Sequence, residues 1–400
     1  MKVHFGKCLL RVIQNKIHDP VSSFATTSTL HFLNQKQRFR DGVAPIILND
    51  VPIPSASPSG RQQDLLVFDS HFPDIINDLT ELDNRYYDVE MANQWFKKVL
   101  QYNMTGGSKV RGLSVVQSYR ILAAPEDVIP ENIKLANIMG WCVELLHTSL
   151  VLTQDLIDQA QVRRGKACWY LQNPRQAPDG ASRIMENAIY KLLKKYFRSK
   201  EYYIDAIELF HTVGQRAMFG KVLDMETRGN PTLSLFDMET YTAIAKYKNT
   251  YHSFKLPSSL ALYMAGIREA EMHRQARTIL MEMGTFYQVQ CDFYNCYGGG
   301  QWDKSNPGRD IMDGKCSWLI VVALQRATPA QKQALIENYG QKDDSKIEKV
   351  KEIYNDIGIP HTYKLYEEHN YERICTLIQQ TSKGLPHQFF FRFLKHMTGF

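Results

Sequence analysis

This chain of 400 residues is short of cysteine pairs, of long apolar runs and, beyond its first forty residues, of net charge. Each scarcity excludes something. The seven cysteines, at 8, 142, 168, 291, 296, 316 and 375, are scattered and include no CxxC pair. Neither a disulfide framework nor a structural zinc site is expected, and a reducing compartment suits the chain. No stretch approaches the roughly 18 uninterrupted apolar residues of a membrane-spanning helix, so no membrane span is expected. The net charge of +6 lies within residues 1–40, where seven Lys and Arg face one acid, Asp19. The remainder carries 41 basic and 41 acidic residues. Without a global basic field, nucleic-acid binding loses its main support. Alternating strand patterns are rare, which argues against a sheet-based fold.

What is present divides into three. Residues 1–40 are basic, rich in Ser and Thr and nearly free of acids, which suits a mitochondrial transit segment; a disordered tail is the plainer alternative. Residues 41–63, DGVAPIILNDVPIPSASPSGRQQ, read as a linker. Residues 64–400 repeat apolar positions at helical spacing, as in VEMANQWFKKVLQY, IMENAIYKLLKKYF and YYIDAIELFHTVGQRAMFGKVLDMET. The expected fold class is all-α, one domain of ten or more helices. Segments 134–152 and 315–325 are apolar all round and belong in the middle of a bundle. The final FFFRFLKHMTGF is expected to be a solvent-exposed tail.

The stretch LTQDLIDQAQVRRGKACWY carries chemistry. Asp155 and Asp158 are three apart and share a helix face. A lone DxxD is usually a solvated face. Here it ends an apolar helix and is followed by Arg163 and Arg164. Two carboxylates on one spot call for a cation, and Mg²⁺ is a hard ion held by carboxylates and phosphates. Forked guanidinium donors suit the remaining phosphate oxygens. A second helix end, GTFYQVQCDFYNCYGG, repeats the spacing with Asp292 and Asn295.

With TGGSKVRGLSVVQSY, GWCVELLHTSLVL, YKNTYHSFKLP, DGKCSWLIVVALQRATPAQ and YERICTLIQ, these stretches make residues 85–398 resemble the trans-isoprenyl diphosphate synthases, of the farnesyl diphosphate synthase-like kind. The resemblance implies the isoprenoid synthase fold, a large antiparallel helical bundle around a central cavity, and a homodimer. It implies about three Mg²⁺ ions held by Asp155, Asp158, Asp292 and Asn295. A prenyl diphosphate substrate would be met by Arg163, Lys248, Gln288 and Lys315, and isopentenyl diphosphate by Arg111 and Arg164. Asp155, Asp158, Lys248 and Asp292 are the implied catalytic residues.

The departures from the family pattern set the expected function. The leading acid of the first motif is Gln154, and the second motif reads Cys291, Asp292, Phe293, Tyr294, Asn295. The lysine of GGKxxRG is Ser108, with Lys109 next to it as a partial substitute, and the family glutamine after ELL is His147. A loop lysine is Asn306, with Lys304 two positions earlier, and Lys221 adds a cation facing the cavity. Ser149 and Leu150 stand where the family places bulky aromatics as a pocket floor, which implies a deeper pocket. The main expectation is a sesquiterpene synthase that ionises farnesyl diphosphate beside Tyr251, Phe254, Phe286 or Tyr287. The alternative is a divergent prenyl diphosphate synthase that still condenses with isopentenyl diphosphate; a non-catalytic partner subunit is a third reading.

Overall fold

The computed structural model describes residues 58–81, 89–172, 178–228, 230–298, 307–381 and 384–398. The leader, most of the linker, Lys304 and Asn306 lie outside these residues. The longest early helices are α1 (Pro58–Ser70), α2 (Phe72–Thr80), α3 (Glu90–Met104), α4 (Val110–Leu122) and α5 (Pro130–Ile157). A short hairpin, β1 (Val162–Arg163) and β2 (Lys166–Ala167), follows. Then come α6 (Trp169–Gln172), α7 (Pro178–Phe197), α8 (Tyr203–Arg228) and α9 (Met238–Ile244). A π-helical segment, Ala245–Lys255, runs into α10 (Leu256–Met264). The rest is α11 (Ala270–Tyr297), α12 (Arg309–Met312), α13 (Trp318–Arg326), α14 (Pro329–Asn338), α15 (Asp344–Asp356), α16 (Ile359–Gln379) and α17 (His387–Thr398). The all-α expectation therefore holds.

Helix α5 explains the architecture. Pro130 opens it where the missing N–H has no helical partner to lose. Its middle is apolar on every side, so neighbours must cover every side. Trp141 stacks on Phe68 and Phe72 at 4.7 and 4.6 Å and donates its indole N–H to the Phe68 carbonyl. Helix α7 closes another side, where Ser182 Oγ donates to the Ser149 carbonyl at 2.9 Å. By length and composition α5 would cross a membrane, but 83% of its most apolar window is buried inside the protein, as befits a core helix.

Two glycines position the π segment. A Cβ on Gly220 of α8 would lie 2.6 Å from Lys248 Cα, and one on Gly284 of α11 would lie 2.5 Å from Thr250 Oγ1. Helices α8 and α11 thus press on the segment from two sides, at distances only glycine permits. A π segment also widens the turn, and such turns recur at functional sites.

The C-terminal stretch differs from expectation. Phe389, Phe390, Phe393 and Leu394 are buried on one face of α17, and Arg392 Nε donates to Gln117 Oε1. Their spacing is that of an amphipathic helix, so the run is a core-facing helix rather than a solvent-exposed tail. Replacing Gly220 with alanine is expected to cost about 2 kcal/mol of stability by overpacking against the Lys248 backbone; chemical denaturation of both proteins measures it.

Candidate active site

Along α5, His147, Val151, Gln154 and Asp158 recur at helical spacing and line a cavity of about 490 Å³. Just beyond, the hairpin pairs Arg163 with Lys166 around Arg164 and Gly165, both at positive φ (52° and 74°). This is the tight turn that suits antiparallel strands, with an arginine where glycine or asparagine is usual. The turn sends the adjacent arginines to different places. Arg163 forks onto Asp155, with Nε donating to Oδ1 at 3.0 Å. Arg164 donates to the Asn103 carbonyl.

Asp158 accepts from Gln154 Nε2 at 2.8 Å and from Arg228 Nη1 at 2.7 Å, with Lys315 Nζ at 3.7 Å. Burial raises its pKa, but Lys315 and Arg228 outweigh burial and hold the carboxyl well below its ordinary value. Arg228 also donates to Asp224, which takes Lys248 Nζ at 2.6 Å. Asp224 is likewise lowered, burial opposing and the Lys248 and Arg228 cations prevailing.

The second motif faces the same cavity. Asp292 accepts from Gln288 Nε2 at 2.7 Å and from the Trp318 N–H at 2.9 Å. Burial, reinforced by Asp310, pushes its carboxyl up to about 7. Asn295 Nδ2 donates to Asp310 at 3.0 Å, and Lys315 Nζ donates to Asp310 at 2.9 Å. Asp158, Lys315, Asp310 and Asn295 thus form a continuous polar chain from one acidic helix end to the other.

A different set of cations borders Ser108 and His147. Arg111 Nε donates to Ser253 Oγ at 2.8 Å, and its Nη1 approaches His147 Nε2 at 3.4 Å. Burial and the Arg111 and His252 charges push His147 far below its usual pKa, so the imidazole is neutral. Neither Arg111 nor Arg164 forms an ion pair among the described residues. Lys109 does not replace the lysine missing at Ser108. Its backbone is left-handed (φ 48°), and its Nζ turns inward to the Gly106 carbonyl at 2.7 Å and to Met104 O, over the Trp141 ring.

Other expected residues are placed elsewhere. Ser149 and Leu150 do not line the cavity, because helical rotation turns them away from the face of His147 and Val151. Ser149 bonds back to Leu146 O, and Leu150 O takes Lys221 Nζ. Lys221 is consequently buried against α5 instead of facing the cavity. Among the four aromatics, Tyr287 lines the cavity; Phe254 and Phe286 are core, and Tyr251 lies under Arg216 and Lys255. Arg228, Asp310 and Asp313 were not foreseen. Asp310 and Asp313 did carry a signal, another pair of acids three apart shortly before Lys315. Arg228 had none beyond lying one turn after Asp224.

The cavity offers oxygen donors to a hard cation. Among the described residues no three His, Cys, Asp or Glu side chains converge as a metal cluster. Yet Gln154 Oε1 and Asn295 Oδ1, at the two acidic helix ends, are buried without a hydrogen-bond donor. An orphaned carbonyl oxygen beside carboxylates is what an oxygen-preferring divalent ion would satisfy, so this donor set fits Mg²⁺.

Comparison with known proteins agrees with this geometry. The polyprenyl synthetase family profile matches residues 93–357. A farnesyl pyrophosphate synthase of Nezara viridula is 43% identical over 332 residues, covering 82% of this chain and 80% of that protein. One from Murgantia histrionica is 42% identical over 329 residues, with 82% and 80% covered. One from Gallus gallus is 40% identical over 326 residues, with 81% and 89% covered.

The buried Lys109 has a measurable signature. Burial, partly offset by Glu144, lowers its pKa to about 8 from an ordinary 10.5. Between those values the unfolded chain holds the proton and the folded chain does not, so this group's contribution to stability rises with pH. Urea unfolding at pH 7.5 and 9.5 is expected to show wild type gaining stability relative to Lys109→Met at the higher pH.

Proposed function

Since this chain belongs to the polyprenyl synthetase family, the trans-isoprenyl diphosphate synthases, we propose that it is a prenyltransferase joining an allylic diphosphate to isopentenyl diphosphate. The observation that carries the proposal is the pair Arg111 and Arg164. Both line the cavity, and neither has a carboxylate partner among the described residues. Burial lowers the Arg164 pKa, and Arg163 and Arg111 lower it further against the opposing Glu144, so cations crowd here. Neighbouring guanidiniums with no carboxylate in contact form an anion site. They are distinct from Arg163 and Lys248, which sit on the acids. Two cation sets suit two diphosphates, and an enzyme that only ionised one donor would need one set.

In this reading Arg163 and Lys248 exchange their carboxylate partners for the diphosphate of the allylic donor. Mg²⁺ held by Asp155, Asp158, Asp292 and the amide oxygens of Gln154 and Asn295 would supply positive charge to that leaving group. Arg111 and Arg164 hold the acceptor's diphosphate, so its double bond meets the allylic carbon. The carbon–oxygen bond breaks toward diphosphate, a carbon–carbon bond forms, and the acceptor loses a proton to a nearby base. Preorganised charge of this kind stabilises a leaving anion without reorganisation. The product is then a longer prenyl diphosphate; the relatives are named for making farnesyl pyrophosphate.

The terpene synthase reading keeps one specific support. With Ser108 in place of lysine and Lys109 turned inward, the acceptor site is a cation short. One assay decides. Purified protein with Mg²⁺, an allylic diphosphate and isopentenyl diphosphate is expected to yield a longer diphosphate. Arg111→Ala or Arg164→Ala should raise the KM for isopentenyl diphosphate by roughly 10- to 100-fold, the worth of one charge-assisted contact. Ser108→Lys should lower it. A hydrocarbon or alcohol from farnesyl diphosphate alone, with no elongation, would establish the terpene synthase instead.

One surface of α8 bears on assembly. Met218, Phe219, Val222 and Leu223 are exposed along one face, Phe219 by 56% and Val222 by 51%. A contiguous apolar face of this kind supports a homodimer. Light scattering should give twice the chain mass for wild type and the chain mass for Phe219→Asp/Val222→Asp.

A further inference from the structure

We propose that Arg228 is a built-in cation that joins Asp158 to Asp224 and competes with Mg²⁺ for Asp158, setting how much divalent cation this site requires. The inference rests on the metal-assisted reading above. Arg228 closes α8 one helical turn after Asp224 and reaches across to the end of α5. Its side chain is 13% exposed. One amino group donates to Asp158 at 2.7 Å, and the other donates to Asp224.

The guanidinium therefore lies between carboxylates of two helices. Its Nε is buried without an acceptor, so the hydrogen bonds that hold it run to the two carboxylates. Each acid has another cation in reach, Lys315 for Asp158 and Lys248 for Asp224. Among the described residues, only Arg228 ties the two acids to each other. A guanidinium that gives one N–H group to each of two largely buried carboxylates is a strong partner. A divalent ion must displace it or accept a coordination sphere without those oxygens. Arg228 does not line the cavity, so it is a positioning residue that acts through Asp158 and Asp224.

The test is Mg²⁺ titration calorimetry on the full chain with inorganic diphosphate present, for wild type, Arg228→Met and Arg228→Lys. The methionine variant is expected to bind Mg²⁺ at least tenfold more tightly than wild type. Lysine, with a single donor head, holds one carboxylate at a time and should fall between. Thermal melts establish which variants are folded; if Arg228→Met does not fold, the Arg228→Lys comparison decides alone. Equal or weaker Mg²⁺ binding in the folded variants overturns the inference and leaves the proposed function standing. Absence of Mg²⁺ binding in all three proteins overturns both.

Discussion

The site is governed by charge neutralisation in a confined space. Acids at the end of α5 and on α8 and α12 are each met by a cation: Asp155 by Arg163, Asp158 by Arg228 and Lys315, Asp224 by Lys248, Asp310 by Lys315. Buried like charges could not otherwise share one cavity, because the cost of an unpaired buried charge is several kcal/mol. These pairings also join the helices to one another. The fold and the site therefore share an electrostatic core, in which any incoming ion must compete with partners already present.

Asp292 sits apart from this scheme. Among the described residues no cation contacts it, and its two oxygens accept from the Gln288 amide and the Trp318 backbone N–H. Burial makes its proton comparatively hard to lose. The acidic helix ends are thus chemically unequal. The first is anionic and cation-clamped. The second is a single poorly ionised carboxyl flanked by Cys291 and Asn295, whose ordinary side chains carry no charge.

Much of this was legible from periodicity. The apolar spacing of α3, α5, α7 and α8 foretold helices, and spacing of three placed Asp155 near Asp158. Spacing could not reveal direction. Lys109 follows Ser108 by one residue, but a left-handed backbone turns its ammonium into the core. Ser149 and Leu150 differ from the cavity face by a fraction of a helical turn, which family position alone did not resolve. Arg228 became meaningful only once α8 and α5 met. The tail's periodicity was readable, but its terminal position suggested exposure, whereas tertiary contact decides burial.

The π-helical segment has a wider implication. Lys248, which holds Asp224, and Ser253, which anchors Arg111, lie five residues apart on one stretch wedged between Gly220 and Gly284. In the condensation proposed above, donor and acceptor diphosphates would rest on the same beam. A substitution that tilted the beam to favour one anion would tilt it for the other, so neither affinity can be retuned there by itself.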